Sequence, residues 1–199
     1  MTGYAAIVLA GGAARRMGGA DKPDLLVGGR PMRDRVLDAV ADAAARVLVG
    51  PPRPVPEDVR STRESPPGGG PVAAVAAGLA LLPPGTTVVA VLAGDLPLLT
   101  RPAIGALRER LAEPGVDGAC YVDDEGRRQT LCGVWRVPVL RAAVDRLAAA
   151  RGGSVDGASL RALLDGLAVH EVHWSGDGPP PWFDCDTDED VRRAEEWTR

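Results

Sequence analysis

Residues 9–22 read Leu9-Ala10-Gly11-Gly12-Ala13-Ala14-Arg15-Arg16-Met17-Gly18-Gly19-Ala20-Asp21-Lys22. The apolar run over residues 4–9 leads into them as a buried strand, at the start of the chain as given. A strand that opens into adjacent glycines, then two arginines, more glycines and a lysine suits a polyphosphate. Gly11 and Gly12 carry no Cβ, so their backbone can approach a ligand and turn N–H groups towards anionic oxygens. Arg15, Arg16 and Lys22 add cationic donors, and a guanidinium can hold phosphate bidentately.

Two well-known phosphate loops do not fit. A Walker loop needs Gly-Lys followed by Ser or Thr, whereas Lys22 lies between Asp21 and Pro23. The Gly-x-Gly-x-x-Gly dinucleotide fingerprint fails because Gly11 and Gly12 are adjacent and cations interrupt the loop. The stretch instead resembles the signature loop of nucleotidyltransferases, in which Leu-Ala-Gly-Gly leads to Arg-Met-Gly and then Lys. Within that superfamily it is most similar to the molybdenum cofactor guanylyltransferase (MobA) family.

Working outward, apolar strand patterns alternate with helical ones. Residues 24–27 read as a short strand turning at Gly28-Gly29, and a helix runs from Pro31 to about Ala45, with Val36, Leu37, Val40 and Ala44 at helical spacing. Residues 47–49 read as a strand, 51–56 as a proline-rich connector and 59–62 as an extended piece. A helix over 72–82 starts after Pro71, which suits a first turn. Further on come a strand over 87–92, a helix over 101–111 and a hairpin pairing 118–122 with 128–134. Helices over 139–149 and 158–164, a strand over 169–173, a loop over 176–181 and a closing helix over 186–197 complete the chain. This alternation predicts one α/β domain over 1–199, a Rossmann-like three-layer α/β/α arrangement with a mostly parallel sheet. The resemblance specifies the nucleotide-diphospho-sugar transferase type. In such sheets ligands bind beyond the carboxyl ends of strands, where both the 9–22 loop and Asp95 fall.

Asp95 ends a buried strand in Ala93-Gly94-Asp95-Leu96-Pro97, where Gly94 leaves room and Pro97 stops the strand. That placement presents a carboxylate, and the resemblance implies that it holds Mg2+, which needs only one or two carboxylates beside phosphate and water. The acidic run 184–190 contains a helix start, Asp186 or Thr187 followed by Glu189 or Asp190. The family has a matching segment before its last helix, with Asp188 here in place of Pro, so Asp186 is a second candidate metal ligand, a capping residue, or both. Gly68-Gly69-Gly70-Pro71 resembles the family's Gly-Pro-Leu-Ala segment along the nucleoside, and equally reads as a proline-capped helix start.

The resemblance implies a magnesium-dependent transfer of GMP from GTP to a molybdopterin-type phosphate acceptor, with release of pyrophosphate. Arg16, Lys22 and Asp95 are the expected catalytic residues. Leu9, Ala10, Gly11, Gly12, Arg16, Lys22, Ser65, Gly70, Pro71 and Asp95 are expected to bind nucleotide, and Asp95 and Asp186 the metal. Two departures bear on base choice: Gly50 stands where the family has asparagine, and an acid ahead of the glycine segment has Glu64 and Ser65 as nearest counterparts, with Ser65 at the matching position. CMP transfer to molybdopterin or another small phosphate acceptor, and a non-catalytic nucleotide-binding module, are the alternatives. Arg127-Arg128 align loosely with an acceptor-side segment and equally read as solvated surface.

Composition narrows the partners. The 199 residues carry a net charge of −4, which argues against a general nucleic-acid binder. Aromatic residues make up only 4%, so Ala, Val and Leu must build the core. Cys120, Cys132 and Cys185 are widely spaced and read as reduced thiols. His170 and His173, three apart on a strand, point to opposite faces and read as structural, while Trp182 and Phe183 read as anchors of the C-terminal segment. With neither a membrane span nor a signal segment in the sequence, the expectation is a cytoplasmic protein, monomeric or a small homo-oligomer.

Overall fold

The computed structural model describes residues 3–11 and 22–199. Expectations resting on Gly12, Arg15 and Arg16 therefore lie outside the described residues. The chain runs through β1 (Ala5–Leu9), a 3-10 turn (Lys22–Asp24), a two-residue hairpin of β2 (Leu26–Val27) and β3 (Arg30–Pro31), and α1 (Met32–Ala39). It continues with β4 (Ala45–Val49), β5 (Val59–Thr62), α2 (Gly70–Ala80), β6 (Val88–Ala93) and α3 (Arg101–Leu111). The second half holds β7 (Gly118–Val122), β8 (Arg128–Arg136), α4 (Val137–Ala150), α5 (Leu160–Leu163), β9 (Val169–His173) and α6 (Asp188–Trp197).

Seven of these strands form one sheet in the order β5-β4-β1-β6-β8-β7-β9. The pairs β1–β4, β1–β6, β4–β5 and β7–β9 are parallel, and β8 runs against both β6 and β7. This is the mostly parallel α/β sheet that the alternation predicts. Every residue of β1 is buried, as expected for a central strand with both faces covered. Ala6 and Val8 pack with α1 and α3 residues such as Val36, Ile104 and Leu107. Ala5, Ile7 and Leu9 pack on the opposite side with Val75, Leu79 and Leu140 of α2 and α4. The period-two alternation of one strand thus divides the core between two helical layers. Contact between α2 and β1 is close at Gly78, where a Cβ would come within 2.6 Å of the Ile7 side chain.

Several boundaries differ from expectation, each for a local reason. Helix α1 stops at Ala39 rather than near Ala45 because the Ala44 N–H donates to the Tyr4 carbonyl, which draws the chain into β4. Residues 22–24 form a 3-10 turn and only Leu26–Val27 is strand, paired with Arg30–Pro31. The helix expected over 158–164 shortens to Leu160–Leu163 because Ser159 caps it, its hydroxyl accepting from the Ala162 N–H.

A third, small apolar cluster joins Val27, Met32, Leu98, Cys185 and Ala194. It ties three distant segments together: the hairpin after Lys22, the loop after Asp95, and the C-terminal segment before α6. Trp182 and Phe183 fasten that last segment. The Trp182 ring lies 5.1 Å from Tyr121, and Phe183 meets Trp197 edge-on at 5.1 Å.

Candidate active site

The chain steps outward from β1 to β4 and β5, then returns to place β6 on the other side of β1. The strand order therefore reverses between β1 and β6, the position at which open α/β sheets bind ligands. Parallel pairing carries on just past the strand ends. Ala10 N–H donates to Val49 O at 2.8 Å, Gly94 N–H to Leu9 O at 2.9 Å, and Gly50 N–H to Thr62 O at 2.9 Å. The backbones close tightly here. A Cβ on Gly94 would stand 3.1 Å from the Leu9 carbonyl, and one on Gly50 would stand 2.7 Å from the Ala10 carbonyl. Glycine at these two positions is what allows β4, β1 and β6 to deliver Gly11 and Asp95 to the same rim.

Lys22 stands at the centre of this rim. Its Nζ lies 2.6 Å from Asp95 Oδ2 and 2.6 Å from Asp186 Oδ1. Two carboxylates far apart in the chain thus converge on one cationic nitrogen. Lys22 and Asp95 keep only 16% and 19% of their side-chain surface exposed, while Asp186 is open at 74%. Burial works against the charge on Lys22, but hydrogen bonds to Asp186 and Asp95 outweigh it and raise the ammonium above its ordinary value. The carboxyl of Asp184 is also raised, first by burial and then by the charge of Asp186, with Lys22 opposing.

Asp186 is presented by the start of α6. Thr187 is the N-cap, its hydroxyl accepting from the Asp190 N–H at 3.1 Å, and Asp190 Oδ2 accepts from the Thr187 N–H at 2.8 Å. The capping role therefore falls to Thr187, and the Asp186 carboxylate faces Lys22. Asp190 Oδ2 also accepts from the Asp186 N–H at 3.1 Å, which sets the backbone of that residue.

The remaining expected residues are more dispersed. Leu9 and Ala10 are buried at the end of β1, with Gly11 exposed beyond them. Gly70 and Pro71 open α2, and Gly70 has a φ of 87°. Ser65 is exposed in the loop ahead of α2, and it is the neighbouring Glu64 whose carboxylate accepts from the Gly68 N–H at 2.9 Å. Arg127 is paired with Asp123 and Glu125, and Arg128 with Glu171. His170 pairs with Glu113 at 3.1 Å. One residue had no signal in the sequence. Arg53, in what reads as a bare proline-rich connector, places its guanidinium against the Ala10 carbonyl, 43 residues away.

The donor set suits a hard divalent ion. Two carboxylate oxygens already converge on one cation, and Asp184 adds nearby negative charge. Among the described residues no three His, Cys, Asp or Glu side chains gather closely enough to hold a metal unaided. Two carboxylates completed by phosphate and water is a usual arrangement for magnesium.

Comparison with known proteins identifies the family. The family model described as MobA-like NTP transferase domain matches residues 6–171, and the chain belongs to that family. It is an enzyme of the nucleotidyltransferase type. A molybdenum cofactor guanylyltransferase from Cereibacter sphaeroides is 36% identical over 143 residues, covering 67% of this chain and 69% of its own. One from Nitrobacter hamburgensis is 28% identical over 203 residues, covering 95% and 91%. Among solved structures, molybdopterin-guanine dinucleotide biosynthesis protein A from Archaeoglobus fulgidus superposes with a TM-score of 0.74 at 20% identity, over 96% of this chain and 97% of its own. The 2-C-methyl-D-erythritol 4-phosphate cytidylyltransferase from Thermus thermophilus gives 0.71 at 20% identity, over 98% of each chain. At those identities the two structures establish the shared fold. Among the described residues no helix is long and apolar enough to cross a membrane.

Proposed function

We propose that this chain transfers GMP from GTP to the terminal phosphate of a molybdopterin-type acceptor in the cytoplasm, releasing pyrophosphate. The observation that carries the reading is the convergence of Lys22, Asp95 and Asp186 at the switch point of the sheet. The relatives named as molybdenum cofactor guanylyltransferases support the choice of donor and acceptor.

The acceptor phosphate is an anion at neutral pH, so attack on the α-phosphorus needs no general base. The work left to the protein is alignment and charge neutralisation. Lys22, largely sheltered from water and held protonated by its two carboxylate partners, would neutralise charge developing on the phosphates. Gly11 would add a backbone donor, and Arg16 and Gly12 are proposed to extend this from within the loop. Asp95 and Asp186 would hold Mg2+, which supplies charge neutralisation across the phosphates when bound. Gly70 and Pro71, with Ser65, are proposed to lie along the nucleoside.

Pyrophosphate release from GTP in the presence of Mg2+ and Mo-molybdopterin tests the reading, with CTP in a parallel reaction. Release that needs both GTP and the pterin supports it. Equal or greater release from CTP would instead assign cytidylyl transfer.

A further inference from the structure

The Arg53 guanidinium is nearly enclosed, with 6% of its side chain exposed, and is fixed at several points. Nη2 donates to the Ala10 carbonyl at 3.2 Å, Nε to the Pro51 carbonyl at 3.2 Å, and Nη1 to Asp24 Oδ1 at 2.9 Å. Arg33 pairs with the same Asp24 oxygen. These contacts fall on the two feet of the glycine-rich segment. Ala10 directly follows β1, and Asp24 closes the 3-10 turn that carries Lys22.

The Ala10 carbonyl belongs to the same planar unit as the Gly11 N–H. In a trans peptide the N–H points opposite to the C=O, so holding the oxygen fixes the direction of the donor. Glycine at position 11 widens the backbone range open to that peptide, and the hydrogen bond from Arg53 Nη2 narrows it. Gly50 leaves space for the same carbonyl from the other side.

We infer that Arg53 is a positioning residue for nucleotide binding: it locks the Ala10–Gly11 peptide so that the Gly11 N–H faces the phosphates, and through Asp24 it fixes Lys22 relative to that donor. The inference rests on the nucleotidyl-transfer reading and deepens it. Arg53 acts through Gly11 and Lys22 and does not itself touch the reacting atoms.

Magnesium-dependent binding of GTP and CTP is measured by calorimetry for the wild type, Arg53→Met, Arg53→Lys, Lys22→Met and the Arg53→Met/Lys22→Met double variant. Amide spectra of the 15N-labelled wild type and Arg53→Met are recorded with and without nucleotide. Arg53→Met is expected to bind the preferred nucleotide roughly tenfold more weakly, the effect of about one lost charge-assisted hydrogen bond. Arg53→Lys, which keeps the charge without the fork, is expected to recover part of this and carries the test if Arg53→Met does not fold. The nucleotide-induced shift of the Gly11 amide should vanish in Arg53→Met while that of Gly94 persists, and the two losses should not add in the double variant. A wild type that binds neither nucleotide overturns the proposed function together with this inference. A wild type that binds, beside Arg53 variants of equal affinity or an unchanged Gly11 shift, overturns the inference alone.

Discussion

Lys22 neutralises two carboxylates, one from the middle of the chain and one from its C-terminal part, so its charge has a role before any nucleotide arrives. Removing it leaves Asp95 and Asp186 facing each other at the rim and takes a cation from the phosphates. Lys22→Met should lower turnover by about a hundredfold or more, as loss of a preorganised charge in a sheltered site does. Pyrophosphate release under saturating nucleotide reads this directly, and an undiminished rate would remove Lys22 from the chemistry. Gly50 is constrained by space. A methyl group there would stand 2.7 Å from the Ala10 carbonyl, which is backbone and cannot swing aside. Gly50→Ala should therefore cost about 1–3 kcal/mol in urea unfolding. The cysteines make a separate prediction. Burial pushes Cys120 up to about 11 and Cys185 up to about 12, and raises Cys132 in the same direction. In the unfolded chain these thiols ionise near 9.0, so the unfolded state releases protons first as pH rises. Their contribution to stability is complete below pH 9 and is lost progressively above it. Urea midpoints at pH 8 and pH 10.5 should show the decline, and native protein at pH 8 should leave all three thiols unreactive towards an aromatic disulfide reagent.

At the scale of elements, the start of α6 does two jobs with adjacent residues. Thr187 and Asp190 close a capping box while Asp186 reaches Lys22. Thr187→Ala should cost about 1 kcal/mol of stability, the usual value of an N-cap. It should also weaken metal-dependent nucleotide binding, because the backbone of Asp186 is held by the same Asp190 oxygen. Stability loss with unchanged binding would separate cap from site. Part of this was legible in the sequence: the acid at the end of β6 and the acidic helix start are local patterns, while residues 12–21 of the glycine-rich loop lie outside the described residues. The division of labour between Asp186 and Thr187 was not, because either residue satisfies the local capping pattern and only the distant Lys22 distinguishes them. The end of α1 was equally hidden, since helical periodicity continues to Ala44 and what stops the helix is the carbonyl of Tyr4, 40 positions away. Arg53 carried no signal for the same reason, its partners Asp24 and Ala10 lying 29 and 43 positions away.

Over the whole molecule, the sheet places the ends of β1 and β6 side by side at the point where strand order reverses. The small cluster of Val27, Met32, Leu98, Cys185 and Ala194 then clamps the three segments that carry Lys22, Asp95 and Asp186. Alternation of strands and helices was enough to anticipate the mostly parallel α/β class. It did not specify that β8 inserts between β6 and β7, a choice made by pairing across the sheet rather than by local pattern. The clamp should matter for function as well as folding. Met32→Ala, at a fully buried position, should cost about 2–5 kcal/mol and loosen the approach of Asp186 to Asp95. The most direct test of the central claim is calorimetric binding of GTP with and without Mg2+, on the wild type and Asp95→Ala. The account predicts GTP binding that strengthens with Mg2+ in the wild type and loses that enhancement in Asp95→Ala. Binding indifferent to both the ion and Asp95 would contradict it.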